Sequence, residues 1–196
     1  MANSKKAYKR KLWVKAWMTL DGVYDANTMQ HWWQNTNSPA RMRYITEQYK
    51  TGDIYLLGRK TYEMLWHGWS KITKGRGPGP LLNRMKKYVI STTLKEAPWK
   101  ESTIISDNVI EEITKLKQQP GKDIIIDGSG TLVQSLMATD LIDEFRFIVE
   151  PFVMGEGRKS SRKEQSRLDL NSWKVKRLVR DRLPLCIRYS DKRNRE

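Results

Sequence analysis

KDIIIDGSGTLVQSLM, residues 122–137, holds a strand, a glycine turn and a helix in immediate succession. Ile124, Ile125 and Ile126 form a β-branched run suited to a buried strand. Leu132, Val133, Leu136 and Met137 recur at the spacing of one helical face. Between them, Gly128 and Gly130 allow a left-handed backbone and close approach to a ligand, and the first amides of the new helix carry partial positive charge. Such a junction can seat a phosphate. The same residues also suit an ordinary strand-to-helix turn with Ser129 as N-cap. The spacing departs from G-x-G-x-x-G, because Val133 stands at the third glycine position.

Working outward, this pattern of strand then helix repeats. Residues 11–20 alternate, with Val14, Ala16, Met18 and Leu20 on one face and Trp13, Lys15, Trp17 and Thr19 on the other, and the strand ends at the turn pair Asp21-Gly22. A polar, tryptophan-rich segment runs on through Asn37. Ser38-Pro39 opens a helix carrying Met42, Ile45 and Tyr49, which Gly52 stops. Residues 53–57 form a strand that Gly58-Arg59-Lys60-Thr61 turns into a helix bearing Tyr62, Leu65 and Trp66. Residues 75–80 read as a surface loop and Leu81, Leu82 and Met85 as a short helix. Strands follow at 87–91 and 103–106, and a helix capped by Asn108 or Asp107 carries Val109, Ile110, Ile113 and Leu116 as far as Pro120-Gly121. Beyond the opening stretch, 144–153 is a strand with Phe145, Phe147 and Val149 on one face, checked by Pro151. Residues 173–181 and 185–190 form a hairpin around Leu183-Pro184. Alternating strands and helices with a strand-rich end predict a central sheet covered by helices.

The chain has 196 residues and a net charge of +15. That length suits one domain. Residues 158–196 carry +9 and Lys5, Lys6, Lys9, Arg10 and Lys11 carry +5, which leaves +1 for residues 12–157. Basic charge confined to the ends, without a nucleic-acid motif, predicts solubilising termini rather than a specific nucleic-acid groove. A single cysteine, Cys186, excludes an internal disulfide, and two histidines leave little for a metal. No membrane span or secretory signal is evident, so a cytoplasmic protein is expected.

Several stretches in order resemble one family: Thr19-Leu20-Asp21-Gly22, Leu56-Leu57-Gly58-Arg59-Lys60-Thr61-Tyr62-Glu63, Tyr88-Val89-Ile90-Ser91-Thr92-Thr93-Leu94, Gly128-Ser129-Gly130-Thr131-Leu132-Val133-Gln134, Asp140-Leu141-Ile142-Asp143-Glu144 and Met154-Gly155-Glu156-Gly157. They are similar to the dihydrofolate-reductase-like family, and most to its RibD C-terminal branch, the riboflavin-biosynthesis reductase domain. The resemblance covers about residues 11–157 and touches the final hairpin. It implies a three-layer αβα fold over residues 11–190, between basic tails at 1–10 and 191–196. The sheet would be mixed and mostly parallel, with an antiparallel C-terminal hairpin.

Function follows from the same resemblance. It implies an NADPH-dependent oxidoreductase acting on a small heterocyclic or carbonyl substrate, possible substrates including 5-amino-6-(5-phosphoribosylamino)uracil, and a homodimer. Gly58, Arg59, Lys60 and Thr61 match the turn that holds the adenosine side of the cofactor, with Arg59 or Lys60 facing the 2′-phosphate. Ser91 and Thr92 match the hydroxyl pair on that phosphate, and Gly128, Ser129, Gly130 and Thr131 match the diphosphate turn. A 2′-phosphate needs a cation and short donors, which these residues supply. Asp21 is the acidic candidate for catalysis, and Trp17, Asp21 and Trp69 are candidates for substrate contact. No metal is implied. Two alternatives stand beside this reading. One is folate reduction, although the helix Ala40-Arg41-Met42-Arg43-Tyr44 lacks the carboxylate of the folate enzymes. The other is a non-catalytic protein that binds nucleic acid or another acidic partner through its basic ends. Asp127, placed before the diphosphate turn, must bind a neighbour or point away. His67 is a further possible proton donor, and Trp32, Trp33, Trp66 and Trp69 could stack on a ring or pack in the core.

Overall fold

The computed structural model describes residues 10–25, 27–32, 38–157, 173–177 and 185–190. Its elements run β1 (Leu12–Thr19), α1 (Met29–Trp32), α2 (Pro39–Tyr49), β2 (Gly52–Gly58), α3 (Arg59–Trp69), α4 (Pro78–Arg84) and β3 (Lys86–Ile90). There follow β4 (Ser102–Ile105), α5 (Val109–Gln118), β5 (Asp123–Asp127), α6 (Gly130–Leu136), β6 (Glu144–Glu150), β7 (Trp173–Arg177) and β8 (Leu185–Ser190). All eight strands lie in one sheet, in the order β4-β3-β2-β5-β1-β6-β8-β7. The first six in that order pair parallel. β8 pairs antiparallel with both β6 and β7. The turn expected at Leu183-Pro184 lies outside the described residues, as do the basic segments 1–9, 158–172 and 191–196 and the tryptophan-rich stretch 33–37.

A parallel strand inside an open α/β sheet is covered on both faces, and β1 shows why both of its faces are apolar. Val14 and Ala16 join Leu56, Ile124 and Ile126 beneath Ile113 and Leu116 of α5 and Leu132, Val133 and Leu136 of α6. Trp13 and Trp17 join Tyr55, Leu57 and Ile125 beneath Ile45 and Tyr49 of α2, Tyr62 of α3 and Leu82 of α4. Phe145 and Phe147 of β6 stack at 5.6 Å, on the face that the alternation assigns them.

Local sequence sets most of the boundaries. Ser38 caps α2 through its hydroxyl, which accepts from Arg41 N at 3.2 Å, and Pro39 occupies the first helical position. Gly52 opens β2 because a Cβ there would stand 2.5 Å from Ile125. Three expectations are corrected. Helix α4 begins at Pro78, inside the segment read as a surface loop, and Pro78, Gly79 and Pro80 are buried. Proline is tolerated in a first turn, where its missing N–H has no helical partner. Asn108 occupies the N-cap of α5 in a left-handed conformation without a side-chain cap bond. Arg10, grouped with the tail by its charge, is only 8% exposed and ties Asp53 at 2.6 Å to the carbonyls of Gln119 and Pro120.

Two buried lysines hold connections in place. Lys117 donates to the Leu141 carbonyl and to Asp143, whose carboxylate also accepts from Leu12 N at 2.7 Å. Lys87, fully buried over the Trp99 ring, donates to the carbonyls of Met85 at 2.8 Å and Lys100 at 2.9 Å. Burial pushes the Lys87 ammonium down to about 8. Between about pH 8 and 10.5 the unfolded chain therefore holds a proton at this position that the folded chain lacks, so the Lys87 contribution to stability rises with pH and is lost as pH falls through 8. Lys87→Met strands the carbonyls and is expected to cost about 2–3 kcal/mol in urea unfolding. The gap from the unaltered protein should widen between pH 8 and pH 10.

Candidate functional site

Parallel register brings the ends of three strands to one edge. Gly58 lies opposite Ile90, and Leu56 lies opposite Ile126, so the segments after β2, β3 and β5 emerge side by side. That edge, at the carboxyl ends of the strands, is where open α/β sheets take ligands.

The opening stretch is locked to α3 at this edge. Gly58 N donates to Ser129 Oγ at 2.6 Å, and both Ser129 N and Ser129 Oγ lie within 3.1 Å of Thr61 Oγ1. Ser129 stands at the N-cap position of α6, but its hydroxyl serves Gly58 and Thr61 instead of capping the helix. Gly128 and Ser129 are both left-handed, at φ +63° and +59°, whereas Gly130 has no positive φ. The freedom expected of two glycines is thus used by Gly128 and by a serine. Gly130 serves a different need: a Cβ there would stand 3.2 Å from the Tyr24 ring, and one on Gly58 would stand 2.8 Å from Ser129 Oγ. Thr131 is exposed beside this cradle.

A cationic cluster adjoins it. Arg59 reaches from the start of α3 to the loop after β3, donating through Nη1 to Thr93 Oγ1 at 2.7 Å and pairing through Nε with Glu63 at 2.8 Å. Ser91 is buried, and its hydroxyl accepts from the amides of Thr93 and Leu94. Thr92 and Lys60 are exposed nearby in sequence. Arg59, Ser91 and Thr92 are therefore brought to one corner. Thr93 belongs there too; the unbroken Ser-Thr-Thr run after a strand is the signal that identifies it.

Asp21 is held by three donors. Its carboxylate accepts from Thr19 Oγ1 at 2.6 Å, Met154 N at 3.1 Å and Gly155 N at 2.9 Å. These donors, the Thr19 hydroxyl first, hold the carboxyl down to about 2. An acid so low is ionised at neutral pH and has no proton to give. Asp21 thus clasps the turn after β1 to the segment after β6.

Trp17 lies on the face covered by α2 and is 7% exposed. The Arg41 guanidinium sits 4.4 Å from its ring centre and pairs with Glu150 at 2.8 Å, both side chains fully buried. Beside it, Asp127 meets Lys15 at 2.9 Å and accepts from the hydroxyls of Tyr49 and Tyr55. Burial lowers the Lys15 ammonium against the opposing pull of Asp127, and burial together with Asp127 raises both phenols. Asp127 therefore binds neighbours beneath the turn, as its position requires. Trp69 closes α3, about 15 Å along the helix from Arg59, and its carbonyl accepts from Asn83 of α4. His67 is exposed, with its ring 4.7 Å from that of Trp66. Arg41, Glu150 and Tyr24 were not singled out in the sequence; a buried ion pair between a helix and a distant strand leaves no local signature.

A six-stranded parallel sheet flanked by helices, with a glycine turn and a basic-hydroxylic corner at its carboxyl edge, defines the dihydrofolate-reductase-like α/β class. The chain belongs to the RibD C-terminal domain family, whose pattern matches residues 10–182. Among relatives, Bacillus subtilis YyaP is 38% identical over 112 residues, 54% of this chain and 57% of that protein. YwjB of the same organism is 32% identical over 111 residues, 56% of this chain and 58% of its own length. These matches thus span little more than half of either relative.

Among solved structures, a Shewanella protein provisionally assigned to riboflavin biosynthesis superposes with a TM-score of 0.69 at 20% identity, covering 93% of this chain and 99% of that one. The Thermotoga maritima diaminohydroxyphosphoribosylaminopyrimidine deaminase/5-amino-6-(5-phosphoribosylamino)uracil reductase gives 0.62 at 14% identity, covering 93% and 56%. Enterococcus faecalis dihydrofolate reductase, complexed with NADP(H), gives 0.59 at 15%, covering 93% and 97%. At these identities the likeness establishes the fold. Among the described residues no helix is long and apolar enough to cross a membrane.

The Asp21 clasp has a testable signature. Asp21→Asn should lower the thermal midpoint at pH 7, and the gap should narrow as pH falls from 4 towards 2. The folded carboxyl sits below its unfolded value, so its contribution is present above about 3.8 and lost through about 2.

Proposed function

We propose that the chain is an NADPH-dependent reductase of a small heterocyclic or carbonyl substrate, with 5-amino-6-(5-phosphoribosylamino)uracil as the first candidate. The observation that carries this reading is the Arg59–Thr93 hydrogen bond, which joins the start of α3 to the Ser91–Thr93 loop and gathers a cation and several hydroxyls at the carboxyl edge. A 2′-phosphate calls for that set of groups. Family membership and the NADP(H)-bound state of the Enterococcus faecalis enzyme support the cofactor class.

The residues of the cradle fit a dinucleotide. Gly58, Gly128 and Gly130 let Ser129, Thr61 and Tyr24 close against the backbone, where a Cβ would stand 2.8, 3.3 and 3.2 Å from them in turn, and so gather the hydroxyls of the turn at one point. Thr61 Oγ1 accepts from Ser129, which leaves its own proton to donate to a phosphate oxygen. In this assignment Gly128, Ser129, Gly130 and Thr131 hold the diphosphate, and Gly58 and Thr61 form the floor beneath it. Arg59 and Lys60, with Ser91, Thr92 and Thr93, hold the 2′-phosphate, and Glu63 aims the Arg59 guanidinium. A reduced nicotinamide supplies hydride when bound, and the chain's part is to orient it against the substrate. Trp17 is the candidate for substrate contact at the end of β1. The first turn of α2 contains no acid, and its buried side chain is Arg41, already paired with Glu150. That arrangement argues against folate reduction, where a carboxylate is expected. A homodimer in the cytoplasm completes the proposal.

NADPH should bind at least about tenfold more tightly than NADH, because charge-assisted hydrogen bonds contribute on the order of 1.5–3 kcal/mol. Titration followed by nicotinamide fluorescence measures the ratio. Arg59→Ala should bring it close to one, and equal affinities in the unaltered protein would refute the assignment.

A further inference from the structure

The segment after β1 returns across the glycine turn. Thr19 N donates to the Val23 carbonyl at 3.0 Å, and Val23 N donates back to Thr19 Oγ1 at 2.9 Å, so the chain reverses tightly and Val23 is fully buried. Gly157 accommodates Val23 from the far side: a Cβ at Gly157 would stand 2.8 Å from Val23 Cγ1. Held at both ends, the segment lays Tyr24 over the cradle. The edge of its ring lies beside Gly130, and its hydroxyl lies 3.6 Å from where a Gly128 Cβ would be, a point that Thr61 also approaches to 3.3 Å.

That hydroxyl oxygen is buried and has no hydrogen-bond partner among the described residues. Buried polar groups are almost always paired, so an orphan beside the glycine turn signals a missing acceptor. Burial and the nearby Asp127 carboxylate keep the phenol protonated, so it can only donate to an anion there. No carboxylate or carbonyl of the described chain meets it, while Thr61, the other hydroxyl at the turn, is also able to donate.

We propose that Tyr24 is a cofactor-positioning residue whose hydroxyl donates to a diphosphate oxygen held on the Gly128–Gly130 turn, opposite Thr61. This rests on the NADPH reading above. The ligand-free protein leaves the hydroxyl unpaired and is destabilised by it; the diphosphate supplies the acceptor.

Tyr24→Phe removes only the hydroxyl and separates the two effects. The ligand-free variant should melt about 2–4 °C higher, because an orphaned buried donor is gone. Its NADPH dissociation constant should rise about tenfold, the loss of one hydrogen bond to a charged oxygen. Affinity for 2′-AMP, which keeps the 2′-phosphate and has no phosphate at the 5′ position, should be unchanged. Unaltered NADPH affinity, or a lowered melting point, overturns the role of Tyr24 while leaving the reductase reading intact. Equal weakening of NADPH and 2′-AMP overturns it as well, since the hydroxyl then acts on the whole site. A protein that binds no NADPH before any substitution overturns both readings.

Discussion

An ammonium and a carboxylate buried side by side, Lys15 on β1 and Asp127 on β5, anchor the centre of the molecule. Taking either charge out of water alone would cost several kcal/mol, so each strand needs the other in this register and no other. A shift of one residue would turn Lys15 into the apolar layer under α5 and α6 and leave Asp127 unpaired. Tyr49 and Tyr55 fill the remaining positions around the carboxylate, which couples α2 and β2 to the same point. The residue after Asp127 begins the glycine turn. The pair therefore decides where the cradle stands relative to β1, and through β1 where Asp21 and Tyr24 fall.

Buried charge recurs on that face. Arg41 with Glu150, and Arg146 with Glu144, line the layer between α2 and the sheet, with Arg146 lying 3.7 Å from the Trp13 ring centre. Guanidinium groups stack well on indole and keep their donors in the ring plane for carboxylates, which reconciles tryptophan with charge in one core layer. The opposite face, beneath α5 and α6, is almost wholly aliphatic. One sheet thus presents a chemically specific side and a plain one, and the described candidates for substrate contact lie at the end of the specific side.

Legibility in the sequence followed the range of the interaction. Elements punctuated by glycine, proline or a capping serine were readable, as at Ser38-Pro39 and Gly128-Ser129-Gly130, because those signals act within a few residues. Residues 122–137 were read with boundaries close to those of β5 and α6. The 75–80 segment misled, since glycine and proline usually mark turns and only tertiary packing buries Pro78 and Pro80. Within the site, Arg59 and Ser91 could be placed together from strand order alone. Asp21 could not be judged, because its donors Met154 and Gly155 lie more than 130 residues away in sequence. Tyr24 stayed invisible because its importance lies in a partner it lacks.

The position of β1 bears on how the chain acquires its structure. Its neighbours, β5 and β6, begin at Asp123 and Glu144, so residues 12–19 have no strand to pair with until about two thirds of the chain is available. Loop closure over such distances is slow, and contacts of this separation delay the transition state. On the ribosome the strand carrying Trp13 and Trp17 stays unpaired for most of synthesis, a sticky apolar segment waiting for its place. Strands β2, β3 and β4 are neighbours and can pair with one another first, but β1 cannot join them until β5 stands between it and β2. The first of the described strands to be made is therefore among the last to be inserted.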